Sequence, residues 1–124
     1  MRYLRILSIL ASMAILVCAA AAEKNAMGIH DVSRVTFVAP VRVGSTLLPA
    51  GEYLVRHTMQ GQDHVMVFEA VKTKTVAAKA KCNLVPLSKK AEQSHTVYQM
   101  NTANERVLQE LVVRGDTAKH VFGE

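Results

Sequence analysis

Cysteine is scarce in this sequence of 124 residues, which contains only Cys18 and Cys82. Small exported eukaryotic domains of this size usually carry several disulfide bonds, so the scarcity argues against that class. N-glycosylation acceptors are absent as well, because none of the four asparagines has Ser or Thr two positions later. Together these two absences favour a bacterial origin.

Catalytic and cofactor motifs are absent too. Ser45 and Thr46 stand in no recognisable arrangement with a His and an Asp, and the glutamates show no paired-carboxylate pattern. Gly44, Gly51 and Gly61 have the spacing of turns, and none of them belongs to a phosphate-binding loop. We therefore expect a protein that is not an enzyme and that needs no cofactor.

The first 22 residues have the three parts of a secretory signal peptide. Two arginines fall within the first five residues, an apolar run extends from Ile6 to Val17, and the small residues Ala19–Ala22 follow. We expect a signal-peptide helix over residues 1–22 that is cleaved after Ala22, with Ala20 as the second choice. The protein would then be exported to the periplasm or to the exterior of the cell.

Two other interpretations of the N-terminus fit less well. A retained transmembrane anchor would need about 20 apolar residues, which is more than this run supplies, and a single basic residue, Lys24, follows it. A lipoprotein would use Cys18, but the residue before it is Val17, where a small residue is expected. We therefore expect no stable transmembrane span after cleavage.

Residues 23–124 form one predicted domain of 102 residues, which is long enough to bury a core without disulfide bonds. The loss of Arg2 and Arg5 would lower the number of basic residues from 15 to 13 against 10 acids, leaving a formal charge of +3. This mildly basic balance names no partner by itself. Since Cys82 would be the remaining cysteine, no disulfide could form within the domain.

Short segments rich in Val, Thr, Tyr and Phe alternate with turn residues along the domain, which predicts an all-β fold. Alternation over Arg34–Ala39 indicates a first strand, and Val41–Leu48 indicates a second strand that is broken at Gly44. The turn over Leu48–Gly51 has proline at its second position and glycine at its fourth, as type I turns do. We expect it to open a hairpin into a strand over Glu52–Thr58.

The next turn centres on Gln60–Gln62 and predicts a hairpin of its own. We expect partners whose residue numbers sum to 121, because that register places the aromatic and methionine side chains on one face. The expected partners are Tyr53 with Phe68, Val55 with Met66, and His57 with His64.

A clean period-two pattern predicts a strand over residues 75–82. Its lysines would point to solvent and its small or apolar residues to the core. The inward set is Val76, Ala78, Ala80 and Cys82.

The C-terminal part allows two interpretations, after a strand that is predicted over Thr96–Met100. Apolar residues between positions 107 and 112 have helical spacing, and Thr102 with Glu105 would form a capping box. The same stretch also reads as a hairpin with strands over Arg106–Val113 and His120–Phe122. From the residues alone, both interpretations of positions 102–114 stay open.

Two stretches resemble a group of short secreted bacterial proteins, in which a strand, a glycine, an LPAGEY turn and a β-ribbon follow a signal peptide. They are Pro40-Val41-x-Val43-Gly44 and Leu48-Pro49-Ala50-Gly51-Glu52-Tyr53-x-Val55. Val107-Leu108-x-Glu110-Leu111 and Val121-Phe122 look like the closing strands of that group. The resemblance implies an antiparallel meander curled into a small barrel or sandwich, favours strand at the C-terminus, and carries no functional residue over.

A stripe of six lysines without any acid occupies the segment between Ala70 and Ala91. Such a stripe could hold an anionic surface of phospholipid, lipopolysaccharide or polysaccharide, although lysines on an edge strand also prevent aggregation. Nucleic acid is not an expected partner, because few aromatic residues interleave with the lysines and the protein would leave the cytoplasm. The six candidates are Lys72, Lys74, Lys79, Lys81, Lys89 and Lys90.

His57 and His64 flank one predicted turn on the same face, where two imidazoles could share Zn²⁺ or Cu²⁺. A metal site needs three or four ligands, and the sequence names no third. We interpret both as ordinary hairpin histidines and Cys82 as an inert core thiol. The sequence therefore favours an exported, non-enzymatic binding or structural module of the bacterial cell envelope or exterior. The alternative is a small exported enzyme or metal-handling protein centred on the two histidines.

Overall fold

The computed structural model describes residues 28–123, and the predicted signal peptide lies outside this part of the chain. The described residues form nine β-strands and no helix, which confirms the all-β prediction. In chain order the strands are β1 (Val32–Phe37), β2 (Val41–Val43), β3 (Thr46–Leu48), β4 (Gly51–Gln60), β5 (Asp63–Ala70), β6 (Thr75–Pro86), β7 (His95–Met100), β8 (Arg106–Val112) and β9 (Ala118–Phe122).

All nine strands belong to one open sheet with the order β1-β4-β5-β6-β9-β8-β2-β3, and β7 pairs with β8 beside this path. The sheet is mixed, because β2 runs parallel to β8 while the other pairs are antiparallel. Antiparallel meanders are therefore present in two runs, β4-β5-β6 and β7-β8-β9, rather than as the one continuous meander that was expected. The pairing of the short strand β2 with β8 joins residues that are far apart in the sequence, and no local turn residues predict it.

The sheet curls over a single apolar core, to which eight of its nine strands contribute buried side chains. The ring of Phe37 on β1 lies 6.4 Å from that of Phe68 on β5 and 6.4 Å from that of Tyr98 on β7. A Cβ placed on Gly44, in the turn between β2 and β3, would lie 3.6 Å from the Cβ of Ala80 on β6. Strands that are distant in the sheet order thus approach each other across the core.

The Leu48–Gly51 turn does not open a hairpin, so that expectation is wrong. β3 pairs with β2 around Gly44, whose φ is +60°, and β4 pairs instead with β1 and β5. Those two ladders join six and eight residue pairs, whereas β3 is only three residues long. The turn is nevertheless held in place, because the Tyr53 hydroxyl donates a hydrogen bond of 2.6 Å to the Pro49 carbonyl oxygen.

The β4–β5 hairpin forms, but its register is displaced by two residues from the expected one. Partner numbers sum to 123, so Val55 faces Phe68, His57 faces Met66, and the turn consists of Gly61 and Gln62. Gly61 has a φ of +63°, which suits the tight two-residue turns that favour glycine. A shift of two preserves the faces of both strands, since side chains alternate with a period of two.

β6 follows the expected alternation from Ala78 onward, with Ala78, Ala80 and Cys82 buried. Val76 was expected to point inward, but 54% of its surface is exposed. The reason is a bulge: Phe68 pairs with Ala78 and the next residue of β5 pairs with Val76, so Ala77 has no partner in the β5 ladder. An extra residue of this kind reverses the inside-outside pattern on one side of the bulge.

The C-terminal segment is a hairpin of β8 and β9, which confirms the strand interpretation for residues 106–112. The residues before β8 form a turn, in which the Asn101 side-chain oxygen accepts hydrogen bonds from the backbone N–H groups of Ala103 and Glu105. Asparagine often replaces a backbone turn in this way. A helix-capping role for Thr102 is therefore wrong.

Candidate functional site

Four adjacent strands carry a group of nitrogen and sulfur side chains on the core side of the sheet. His57 lies on β4, His64 on β5, Cys82 on β6 and His120 on β9. His57, Cys82 and His120 are buried, and His64 is partly exposed. We refer to these four residues as the histidine–cysteine cluster.

Short contacts link the members of the cluster. The His57 Nε2 and His64 Nδ1 atoms are 3.0 Å apart and share a hydrogen bond. The ring centre of His57 lies 5.1 Å from that of His64 and 5.7 Å from that of His120. The Cys82 Sγ atom lies 3.9 Å from the His120 Nδ1 atom. The cluster therefore consists of two contacting pairs with His57 and His120 side by side.

A buried carboxylate stands behind His120. Asp116 is fully buried, and one of its oxygens, Oδ2, lies 3.6 Å from His120 Nε2 and accepts no hydrogen bond within residues 28–123. The other oxygen, Oδ1, accepts a hydrogen bond of 3.0 Å from the His30 backbone N–H and lies 2.6 Å from His30 Nδ1. Asp116 thus joins the segment before β1 to the turn before β9 and faces the buried imidazole.

Burial shifts the pKa values of two members of the cluster. It raises the pKa of the Cys82 thiol to about 11, so the thiol is protonated at neutral pH. Burial, followed by the charges of His120 and His64, lowers the pKa of His57. Burial alone would raise the pKa of Asp116, but its polar contacts with His120 and His30 outweigh that effect and lower it. The network therefore has one fixed negative charge, on Asp116.

A pocket of about 190 Å³ leads from the surface to the edge of the cluster. His64 and Cys82 contribute to its lining, together with the Asp63–Lys81 ion pair, whose charged atoms are 3.3 Å apart. The pocket therefore reaches the cluster at its edge, beside the partly exposed His64. Within residues 28–123, however, no group of three or more His, Cys, Asp or Glu side chains is positioned to hold a metal ion as it stands.

The alternation of β9 was the sequence signal that could have located His120. Ala118, His120 and Phe122 occupy every second position, and all three are buried. The involvement of Asp116 and His30 could not have been found in this way, because residues 86 positions apart meet only through the tertiary fold.

The six candidate lysines are all exposed, but they do not lie at one place. Lys72 and Lys74 belong to the turn before β6, and Lys79 and Lys81 project from the outer face of that strand. Lys89 and Lys90 follow the far end of β6, which at about 3.3 Å per residue lies on the order of 35 Å from its beginning. The structure therefore groups four lysines and separates two.

Arg56 is a neighbour of the lysines that sequence reasoning did not include. It lies opposite Val67 in the β4–β5 ladder, and Val67 lies opposite Lys79 in the β5–β6 ladder. Arg56 and Lys79 thus stand in one cross-strand row, about 10 Å apart at the usual strand spacing. We call Arg56, Lys79 and Lys81 the basic face. The period-two position of Arg56, between the buried Val55 and His57, was the signal that could have placed it outward.

Two of the candidate lysines have acidic partners. Besides the contact of Lys81 with Asp63, the Nζ atom of Lys89 lies 3.5 Å from a carboxylate oxygen of Glu92. Within the described part of the chain, neither Arg56 nor Lys79 has an acid within ion-pair distance. Arg56 and Lys79 can therefore offer their charge to another molecule without first giving up a partner.

No protein-family model, curated protein or solved structure matches the chain at a significant level. Between residues 28 and 123 there is no helix with the length and apolar character needed to cross a membrane.

Proposed function

We propose that this chain is exported from a bacterial cell, loses residues 1–22, and acts as a non-enzymatic binding module of the cell envelope or exterior. Its ligand would be an anionic envelope surface, either phospholipid or charged polysaccharide, and the basic face would hold it. In this proposal the curled sheet approximates a small barrel or sandwich whose outer surface is convex and accessible.

The observation that carries the proposal is the cross-strand row of Arg56 and Lys79 on the outer surface of β4–β6. Both side chains are exposed, and Val67 between them is partly buried. The row lies on three long strands, whose two ladders join eight and seven residue pairs. The pairing of these strands therefore sets the spacing of the charges. A charged surface of this kind suits attraction to an extended anionic partner more than recognition of a small molecule.

Vesicle binding tests this function. The purified protein should bind anionic vesicles at low salt, and added salt should weaken binding because exposed charges are screened over about 8 Å at physiological ionic strength. Changing both Arg56 and Lys79 to Gln should weaken binding roughly 30-fold, since each basic residue near an anionic membrane contributes about 1 kcal/mol.

The matched control is a variant with Gln at Lys89 and Lys90, which lie at the other end of β6. It loses the same charge, so a purely non-specific effect of net charge would weaken binding equally in both variants. Equal weakening, or binding that neither salt nor these substitutions alter, would contradict the role of the basic face. Vesicles and envelope polysaccharide, assayed side by side, distinguish the two sources of negative charge.

Export is tested separately by intact mass. Material recovered from the periplasm or the medium should begin at Glu23, or at Ala21 if the second cleavage choice is used. Full-length protein in the membrane fraction would contradict the export proposal. The vesicle assay would still test the basic face, because it does not depend on export.

A further inference from the structure

Each of the four residues in the histidine–cysteine cluster has two other members as neighbours on the core side of the sheet. His57 contacts His64 through their ring nitrogens at 3.0 Å, and Cys82 contacts His120 at 3.9 Å. Two links join these pairs. His64 and Cys82 are direct partners in the β5–β6 ladder and line the same pocket, and the rings of His57 and His120 are 5.7 Å apart.

These distances are close to those among the ligands of a tetrahedral metal site. Around such a site, two imidazole nitrogens are about 3.3 Å apart, and a sulfur and a nitrogen are about 3.6 Å apart. The ring centres of two imidazoles on one ion are about 5.2 Å apart, compared with 5.1 and 5.7 Å here. The two atomic contacts and the two ring separations thus fall within about 0.5 Å of those in a tetrahedral arrangement, whereas His64 and Cys82 are linked as ladder partners and as lining of one pocket.

The position of Asp116 adds an independent argument. Histidines that bind metals usually give their second ring N–H to a carboxylate, which fixes the tautomer and the ring orientation. His120 is placed for this arrangement, because its Nε2 lies 3.6 Å from the buried Asp116 Oδ2 and its Nδ1 lies 3.9 Å from the Cys82 sulfur. Asp116 Oδ2 has no hydrogen bond within the described chain, so a proton on His120 Nε2 serves it best. The Nδ1 lone pair is then available to a cation.

We propose that Cys82, His120, His57 and His64 together bind one soft or borderline cation, Zn²⁺ or Cu⁺. Thiolate and imidazole are the ligands that these two ions prefer. Binding replaces the proton of the Cys82 thiol, which is released to solvent, while the three imidazoles bind in their neutral form. In the described arrangement the four residues stand as two pairs, so binding requires the rings of His57 and His64 to turn toward Cys82.

The pocket beside the cluster provides the entry path. It is lined by His64 and Cys82, and the Asp63–Lys81 ion pair also borders it. The proposed site faces the core side of β4–β6, whereas the basic face lies on the opposite side of the same strands. The two proposals can therefore fail independently.

Metal titration of the reduced, metal-stripped protein tests the inference. Calorimetry with Zn²⁺ should show one equivalent bound, and Co²⁺ should produce the ultraviolet absorption of a thiolate–cobalt bond and the visible bands of tetrahedral cobalt. Cys82→Ser should abolish the thiolate band, and both it and His120→Gln should weaken Zn²⁺ binding by more than the roughly 10–100-fold that losing an outer-shell partner costs. A parallel titration with Cu⁺ under reducing conditions decides which ion binds more tightly.

His95→Gln is the matched control, because His95 is an exposed histidine on β7 outside the cluster. It should leave Zn²⁺ affinity and the cobalt spectrum unchanged. Circular dichroism verifies that each variant is folded, and His64→Gln, at a partly exposed position, replaces any buried variant that does not fold. The inference is overturned if neither Zn²⁺ nor Cu⁺ binds stoichiometrically, or if Cys82→Ser retains full affinity and an unchanged cobalt spectrum.

Discussion

The two faces of the strands β4–β6 present opposite kinds of chemistry from the same backbone. On β6, the buried Cys82 alternates with the exposed Lys81 and Lys79, and on β4 the buried His57 alternates with the exposed Arg56. The core face holds polar groups in contacts of 3.0 to 3.9 Å among apolar side chains. The outer face holds charges that water surrounds.

This difference determines which properties each face can support. On the core face, every substitution changes packing and desolvation together, so affinity and stability are linked. On the outer face, side chains can be exchanged with little effect on folding, and their electrostatic effects are screened by salt. The same strands thus supply a largely buried cluster on one face and an exposed, charged surface on the other.

The largest difference between the two faces is expected in the free energy of unfolding after a substitution. Phe68 is fully buried on β5, and its ring lies 6.4 Å from Phe37 and 6.1 Å from Phe122. Phe68→Ala should lower the free energy of unfolding by about 3–5 kcal/mol because it leaves a cavity in the core. Urea denaturation measures this value. A loss below 1 kcal/mol would mean that the core is not packed around this ring.

Thiol labelling sharpens the comparison at a single residue. Cys82 is 6% exposed, and burial raises its pKa to about 11, so a thiol reagent should modify it slowly in the native protein and rapidly in denaturant. The ratio of the two rates, followed by mass spectrometry, measures the protection. Equal rates would contradict the buried placement of this residue. Slower native labelling after addition of Zn²⁺ would agree with the proposed metal site.

An intermediate case is the Arg42–Glu105 pair, whose side chains are about one quarter exposed. Hydrogen bonds from Arg42 and then Asn101 lower the pKa of Glu105 to about 2, compared with an ordinary value of 4.5. A carboxyl group whose pKa is lowered in the folded state stabilises the protein at pH values above its ordinary pKa. This contribution is lost as the pH falls from 4.5 toward 2.

Arg42→Gln should therefore lower stability at pH 6, and the difference from the original protein should shrink as the pH falls toward 2. Urea unfolding of both proteins at several pH values measures this trend. Lys119→Gln serves as the control, because it breaks another partly exposed ion pair, that with Glu110, without touching Glu105. If the difference in unfolding free energy between Arg42→Gln and the original protein stays constant with pH, the Arg42–Glu105 pair is not its cause.

The smallest effect on stability is expected on the outer face. Lys79 has no acidic partner within residues 28–123, and its side chain is exposed. Lys79→Gln should change the free energy of unfolding by less than about 0.5 kcal/mol, while it weakens vesicle binding. A stability loss comparable to that of Phe68→Ala would remove the distinction between the two faces.

Local patterns in the sequence were sufficient for most of the strands. Alternation located β4, β5 and most of β6, and it correctly placed Cys82 inside and Lys79 outside. It misplaced Val76, because the bulge opposite Phe68 depends on how two strands fit together. The turn residues Leu48–Gly51 led to the wrong partner for β3, which pairs with β2 while β4 forms longer ladders with β1 and β5.

The amino-acid sequence by itself determined most of the strands and the face that most of their side chains take, because both follow from local alternation and turn chemistry. It therefore indicated the outward lysines and the shared face of His57 and His64. Only the tertiary structure decided that β9 lies beside β6, which brings His120 to Cys82, and that Asp116 meets His30. Such pairings depend on the packing of the whole sheet around one core, and no local pattern encodes them.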